Sequence, residues 1–475
     1  MELILFDSFT GSKKPFNPRN PNNTTVYICG PTVYDDAHLG HARTYVTFDL
    51  IRRMFEILGH NTTVVMNITD VDDKIINRAR EQNMSPLELA CKYEERFMED
   101  MKSLEVQPPD VLTRVTEHID EIIAFITDLI DKGYAYVKDK DVRFHLCKYL
   151  ESYQYPGFHL HDIEDSGEEA DFTLWKGRPD KNELNWDSPW GPGRPGWHIE
   201  CSAMSTTVFG SHLDIHVGGI DLAFPHHANE IAQSNARYGD KWVNIFLHTG
   251  HLSIEGQKMS KSLKNFITIR KALEEYSSHI LRMYFALHKY NGSMSFSTEE
   301  LDRAKKTWET FQSFWRKVTG LPAEEKWSER SQVIHDALIK TRKDNIAALN
   351  DDFNLPQVLL NLLDLLSITN AQTVYSSMKN KRSCAGDNYP IAAMMVVKYT
   401  QDLLHRLGFP VYNTNSSDDI TNLIQTLVDF RSNIRSVAGD KKSIYALTDS
   451  IRTDILPKLG IKLEDQGKKS YWSKI

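Results

Sequence analysis

The chain has 475 residues, 41% hydrophobic and 25% charged, which exceeds one hydrophobic core and predicts two or three domains. No window approaches the ~18 apolar residues that cross a bilayer, and Met1-Glu2-Leu3-Ile4-Leu5-Phe6-Asp7 lacks a signal peptide's basic flank, so no membrane partner and a cytoplasmic location are expected. A net charge of −8 excludes global coating of nucleic acid, leaving room for a local basic patch, and five cysteines (29, 91, 147, 201 and 384) do not make a disulfide framework.

Val26-Tyr27-Ile28-Cys29 reads as a strand and Gly30-Pro31 as its loop. Phe48, Ile51, Met54, Phe55 and Leu58 then share one face of a helix closed by Gly59. Thr63-Val64-Val65-Met66 supplies a second apolar β run. The stretch therefore predicts a βαβ unit, a parallel sheet, and a ligand site at the first strand-to-helix loop. Thr116 to Asp131 predicts an amphipathic helix with a threonine cap. From Gly157 to Gly196 the chain is acidic, Trp-rich and broken by Pro179, Pro189, Pro192 and Pro195, which predicts irregular structure over a pocket. Ile215-His216-Val217 and Val243-Asn244-Ile245-Phe246 are expected strands, flanking a helix that starts near Pro225, with the proline close to an N1 position. After about Ser295 the spacing is helical over Glu299 to Val318, Ser331 to Leu349, Pro356 to Ile368, Ala392 to Leu407 and Asp418 to Val437. Tyr375 to Asn388 reads as a linker or exposed loop.

Within Pro225-His226-His227-Ala228-Asn229-Glu230, His226 and Glu230 stand four residues apart on one helix face. Adding Cys29 and Cys201 gives two thiolates, an imidazole and a carboxylate, a donor set suited to zinc. The same residues also suit two inert core thiols beside a locally packed histidine. Zinc there would favour a deprotonated thiol, so a free cysteine could add a ligand bond that serine's harder, less acidic hydroxyl cannot replace cheaply. His38-Leu39-Gly40-His41 enters the first helix, where imidazoles, backbone N–H groups and the helix dipole suit a polyphosphate or simply cap the helix. Gly40 would let a nucleotide base approach the backbone closely. Lys258-Met259-Ser260-Lys261-Ser262 offers two ammonium groups, either for phosphate charge that builds during attack or as a solvated charge run.

Together and in this order, HLGH at 38–41 and KMSKS at 258–262 resemble the two signatures of class I aminoacyl-tRNA synthetases. Four further words narrow the resemblance to the cysteinyl-tRNA synthetase family: YICGPTVYD at 27–35, NITDVDDK at 67–74, GWHIECS at 196–202, and GGID at 218–221 leading into FPHH at 224–227. The likeness covers essentially the first 270 residues and weakens beyond, where LNDDFN at 349–354 still looks like that family's helical tRNA-binding region.

The resemblance implies an α/β fold: a Rossmann-like parallel-sheet catalytic domain with an inserted connective region, followed by an all-α tRNA-binding domain. The expected bounds are 1–250 for the catalytic domain, with the insertion at about 105–195; 251–310 for the KMSKS loop and stem-contact region; and 311–475 for the helical anticodon-stem-binding domain. By the same resemblance Cys29, Cys201, His226 and Glu230 hold one Zn2+ per chain, and Trp197 closes over the substrate side chain. Thr69, His216 and Asp221 belong to the amino-acid pocket, with Asp221 partnering the ammonium. His38, Gly40, His41, Lys258, Ser260 and Lys261 bind ATP, which arrives with Mg2+; His38, His41, Lys258 and Lys261 are the catalytic members. Ala228 stands where the family often has glutamate, and Lys264 where a glycine often follows the second signature.

The implied partners are ATP, L-cysteine and tRNA(Cys), with Trp472 and Lys468-Lys469 as candidate RNA contacts. The sequence leaves the oligomeric state open, a monomer being the simpler expectation. Two rival functions remain: a ligase joining activated cysteine to a small amine, and an RNA-binding relative without catalysis. The long helical C-terminal region argues against the first. The intact signatures and metal positions argue against the second.

Overall fold

The computed structural model describes residues 2–156, 170–177, 184–254, 257–258, 266–320, 324, 326–379, 390–411, 461–466 and 469–474. They fall in two compact units, Met1–Phe409 and Pro410–Ile475.

In the first unit, β1 (Ile4–Asp7) and β2 (Ser12–Pro15) form an antiparallel hairpin before β3 (Thr24–Ile28) enters the main sheet. Helix α1 (Leu39–Ile57) begins at a capping box in which His38 accepts from the helix and His41 reaches back to the cap backbone. Its periodic residues Phe48, Ile51, Met54 and Phe55 are buried. It delivers the chain to β4 (Thr62–Ile68), parallel to β3 with Val26 opposite Val64, which is the βαβ unit expected from the sequence. Then come α2 (Asp73–Gln82), capped by Asp72; α3 (Pro86–Ser103), with a Ser85/Glu88 capping box; and β5 (Val111–Arg114). With the later β10 (Leu213–Gly219) and β11 (Val243–Thr249), the main sheet runs β11-β10-β3-β4-β5, all parallel. The strand order reverses between β3 and β10, so a crevice opens beyond their C-terminal ends.

Helix α4 (Ile119–Asp131) starts later than the sequence suggested, and without a threonine cap. The Thr116 hydroxyl instead donates to Asp70 Oδ2 at 2.5 Å, and His118 takes the cap position. The stretch read as irregular contains strands. β6 (Ala135–Lys138) and β7 (Asp141–Phe144) precede α5 (Leu146–Leu150), and β8 (Thr173–Gly177) and β9 (Gly193–Pro195) complete a four-stranded antiparallel sheet. Prolines do fall where pairing ends, but Trp175 of β8 is fully buried, in one apolar cluster with residues of α4, α6 (Trp197–Phe209) and α7 (Ala228–Tyr238). Residues 157–169 and 178–183 of that stretch lie outside the described residues. Pro225 is not an N1 residue: it sits in a wide turn, Ala223–His227, behind a single helical turn, Ile220–Leu222, and α7 starts three residues later.

β12 (Leu252–Ile254) pairs with β13 (Gln257–Lys258) and, after α8 (Ile269–Glu275) and α9 (Ser278–Ala286), with β14 (Met294–Phe296). Helices α10 (Thr298–Thr319), α11 (Glu329–Asn350), α12 (Leu355–Lys379) and α13 (Ile391–Arg406) follow, matching four of the five helical segments expected. Helix α12 continues through Tyr375 to Lys379, so the expected linker begins later than its composition suggested; 380–389 and the segment Asp418 to Val437 lie outside the described residues. In the second unit β15 (Ile461–Gln466) and β16 (Lys469–Lys474) form an antiparallel hairpin. Among the described residues no helix is long and apolar enough to cross a membrane.

Candidate active site and metal centre

Cys29 follows the last residue of β3, and Gly30 must turn the chain away at once. Its N–H donates to Asn67 Oδ1 at 2.9 Å, and a Cβ on Gly30 would fall 1.5 Å from the Asn67 carbonyl oxygen. Cys201 sits on α6, His226 in the wide turn, and Glu230 one helical turn later on α7. All four are buried, and their ligand atoms lie within 4.8 Å of one another. Cys29 Sγ is 3.8 Å from Cys201 Sγ, 3.5 Å from His226 Nε2 and 4.0 Å from Glu230 Oε1, and His226 Nε2 is 3.1 Å from Glu230 Oε1. Tetrahedral zinc with bonds of ~2.3 Å to sulfur and ~2.05 Å to nitrogen separates two sulfurs by ~3.8 Å and sulfur from nitrogen by ~3.6 Å. The Cys29–Cys201 and Cys29–His226 separations therefore fit a tetrahedral ion, and Glu230 Oε1 lies within about 0.5 Å of the same arrangement. Burial pushes the Cys29 thiol and the Glu230 carboxyl up and the His226 imidazole down, so each favours its neutral form alone. A divalent cation reverses that preference for thiol and carboxyl.

A second grouping, Cys29, His216, His227 and Glu230, also brings its ligand atoms within 4.8 Å. It shares two residues with the first, so the two sets compete for one ion. His216 and His227 are fully buried, whereas Cys29, Cys201 and His226 line a cleft of about 480 Å³. Three members of the first set line the cleft, but only Cys29 of the second. The second set instead supports the first, because His216 Nε2 lies 2.8 Å from Glu230 Oε2 and orients the carboxylate. His216 thus lies behind Glu230, away from the cleft wall. His198 Nδ1 contacts His226 Nδ1 at 2.9 Å, and His227 Nδ1 contacts His248 Nε2 at 2.7 Å. The sequence assigns His198, His227 and His248 no role, although His198 stands in GWHIECS and His227 in FPHH.

The same cleft is lined by Thr69, Trp197, Asp221, His38, Gly40 and His41. Trp197 is about one-third exposed and stacks on the His226 ring at 4.4 Å between centroids. Thr69 is buried and donates to Glu200 Oε2 at 3.2 Å. His38 Nδ1 accepts the Gly40 N–H at 3.1 Å and His41 Nδ1 accepts the His38 N–H at 3.2 Å, with the rings stacked at 4.0 Å. In neutral rings each Nε2 therefore carries the proton. Of the two alternatives left open for HLGH, the capping one is seen directly, and the same histidines line the cleft. Gly40 has a nearer reason to lack a side chain than a nucleotide base, since a Cβ there would lie 2.8 Å from His38 Cε1.

Lys258 lies on β13, its backbone paired with Ser253; its side chain, and Ser260, Lys261 and Lys264, lie outside the described residues. Both anchors of that segment are described. β12–β13 holds one end, and at the other Thr268 bridges to His38, with Leu39 N–H donating to the Ile267 carbonyl at 2.9 Å. The second signature thus emerges and returns beside the first. Arg43, also missed from sequence, is 1% exposed and grips the carbonyls of Lys289 and Tyr290 at 2.8 and 3.0 Å, tying α1 to the turn before β14.

Residues 15–306 match the family model for the tRNA synthetases class I (C) catalytic domain. The chain is 39% identical to the cytoplasmic cysteine–tRNA ligase of Dictyostelium discoideum over 98% of its own length and 76% of that protein's. It is 38% identical to the cysteine–tRNA ligase of Pyrococcus horikoshii over the full length of both, and 39% identical to that of Methanococcus vannielii over 98% of each. Among solved structures, Mycobacterium tuberculosis methionyl-tRNA synthetase bound by methionyl-adenylate superposes with a TM-score of 0.64 at 14% identity, covering 81% of this chain and 92% of that one, a likeness of fold. By family model and full-length identity alike, the chain belongs to the cysteine–tRNA ligase family of class I tRNA synthetases.

Proposed function

We propose that this protein activates L-cysteine with ATP and transfers it to the 3′-terminal ribose of tRNA(Cys), selecting cysteine over serine at one zinc held by Cys29, Cys201, His226 and Glu230. The observation that carries this reading is a single cleft lined by three of those donors, Cys29, Cys201 and His226, and by the HLGH histidines together, with Glu230 buried directly behind. Zinc bound there supplies a borderline-soft Lewis acid, which takes a thiolate far more readily than a hydroxyl.

The surrounding residues suit the remaining parts of the substrate. Asp221, at the cleft wall, suits the ammonium, and Thr69 suits the polar backbone of the amino acid. Trp197, stacked on His226 and partly exposed, suits closure over the side chain. The Nε2–H groups of His38 and His41 suit the ATP phosphates at the positive end of α1. Lys258, Ser260 and Lys261 complete the phosphate set in this reading, with Mg2+ as counter-charge. One cysteine carboxylate oxygen bonds the α-phosphorus as the α–β anhydride breaks, giving cysteinyl-adenylate and pyrophosphate. The terminal 2′-hydroxyl then takes the acyl group and AMP leaves.

The domain scheme read from the sequence belongs to the same proposal: 1–250 for catalysis, 251–310 for the second signature and stem contact, and 311–475 for the anticodon stem. So do a cytoplasmic location and action as a monomer. The test is aminoacylation of total tRNA by the purified chain with labelled cysteine against labelled serine. Cysteine is expected to charge at least about 10³-fold better. No charging with cysteine, or comparable charging with serine, overturns the reading.

A further inference from the structure

Tyr27 of β3 precedes Cys29 by two residues, and the Cys29 N–H continues the ladder to the Val217 carbonyl at 3.2 Å, so the two side chains leave the same face of the sheet. In the register Tyr27 stands between His216 of β10 and Val65 of β4, with Phe246 of β11 beyond His216. Its ring is fully buried and edge-on to the His216 ring at 5.3 Å, in one apolar cluster with Cys29 and Cys201. Tyr27 is not among the residues that line the cleft, so it touches the metal set from behind and no substrate from in front.

The Tyr27 hydroxyl is closed to solvent and makes no hydrogen bond of good geometry among the described residues. Buried hydroxyls are normally satisfied, and an orphaned one costs stability. The ionisable groups that act on it are Cys201, Cys29 and Glu230, with Cys201 foremost, and all three belong to the donor set of the metal. Cys29 Sγ already has a ring nitrogen from outside that set beside it, His227 Nε2 at 3.4 Å, whereas Cys201 Sγ has none among the described residues. A thiol is a weak acceptor and a thiolate a strong one, and a bound divalent ion requires the thiolate. The neighbour that leaves the hydroxyl unsatisfied as a thiol therefore satisfies it as a metal ligand.

We infer that Tyr27 is a positioning residue of the metal centre, whose hydroxyl donates to the Cys201 thiolate when an ion is held and thereby tunes how strongly that ion takes the thiolate of the substrate. A hydrogen bond to Cys201 Sγ draws charge off that sulfur, so less of it reaches the ion and the ion keeps more of its Lewis acidity for the incoming sulfur. The hydroxyl is thus a burden on the chain without the ion and a support with it. This deepens the reading proposed above and rests on it.

The test is Tyr27→Phe in the full chain, which removes the hydroxyl and keeps the ring. With metal chelated, the urea midpoint is expected to stay level or rise, since an orphaned donor is gone, while zinc affinity, read by competition with a chromophoric chelator, falls about 10-fold. A packing role alone would lower both. With Co2+ in place of zinc, the sulfur-to-cobalt charge-transfer band is expected to move to longer wavelength, because a thiolate that has lost a hydrogen bond gives up its electron more readily. Trp242→Phe removes the unpartnered indole N–H of the same cluster and is expected to leave the band in place. In pyrophosphate exchange the cysteine KM of Tyr27→Phe is expected to rise about threefold with kcat little changed, as for lost ground-state binding. An unmoved band and an unchanged zinc affinity, with one cobalt bound per chain, would overturn the role of Tyr27, and so would a band moved by Trp242→Phe in its stead. A moved band with an unchanged KM would overturn the effect on the substrate. Failure of the wild type to bind one cobalt would overturn the metal reading itself.

Discussion

His198 and His226 face each other through their Nδ1 atoms at 2.9 Å, so one of the two must carry the proton. His226 turns Nε2 toward Cys29 and Glu230, at 3.5 and 3.1 Å. A ligating Nε2 must be bare, which makes His226 Nδ1 the donor and His198 the acceptor. Burial lowers His198 to about 4, so it remains a neutral acceptor at pH 7.

Removing that acceptor frees the His226 ring to rotate. His198→Ala is expected to weaken zinc binding about 10–100-fold, the usual cost of losing an outer partner of a ligand histidine, with little loss of secondary structure. Competition with a chromophoric chelator measures it; an unchanged zinc affinity would show that packing under Trp197 alone fixes the ring.

Gly40→Ala separates positioning from stability. The added Cβ meets His38 Cε1 at 2.8 Å and must displace that ring, although alanine is the better helix former by about 1 kcal/mol. The expected outcome is an exchange rate reduced roughly 10²-fold with an unfolding midpoint near wild type. A fall in both together would mean that the substitution disrupts α1 itself.

Asp49 is the buried anion between Arg282 and Arg53, joining α1 to α9. Asp49→Ala leaves Arg282, 1% exposed, without its counter-charge and should cost about 3–5 kcal/mol in urea unfolding. A cost below about 1 kcal/mol would show that the arginine escapes to water.

Burial lowers His248 to about 3, below the ~6.5 of an exposed imidazole. The unfolded chain therefore takes up the proton first as pH falls, and stability contributed by the neutral ring is full above about pH 6.5 and drains away between there and about pH 3. At pH 5 the loss is about 2 kcal/mol. With metal chelated from both proteins, His248→Phe should flatten the stability difference between pH 7 and pH 5 by that amount; identical slopes would contradict the burial.

The parallel sheet around β3 and β4 was legible because a βαβ unit leaves a long, continuous apolar pattern on the chain. The antiparallel β6–β9 sheet was not: β9 is only three residues, Gly193–Pro195, with a proline at its end, and its pairing comes from partners distant in sequence. Thr116 looked like a cap because local sequence does not reveal that Asp70, 46 residues away, claims its hydroxyl. In the site, the i,i+4 spacing of His226 and Glu230 and the family words placed the donor set. The supporting parts of His198, His227 and His248 were invisible, since the three lie on separate elements and only the fold gathers them. His216, expected near the amino-acid pocket, stands 2.8 Å from Glu230 Oε2, a placement that only the fold reveals.

The most direct measurement is zinc content together with cysteine-dependent ATP–pyrophosphate exchange in Cys201→Ala, because Cys201 belongs to the cleft-facing donor set and not to the buried one built on His216 and His227. One zinc per chain in the wild type, with the variant losing both metal and most of its exchange, is the expected result. A variant that retains a full zinc complement and undiminished exchange would contradict the assignment and move the ion to the buried set.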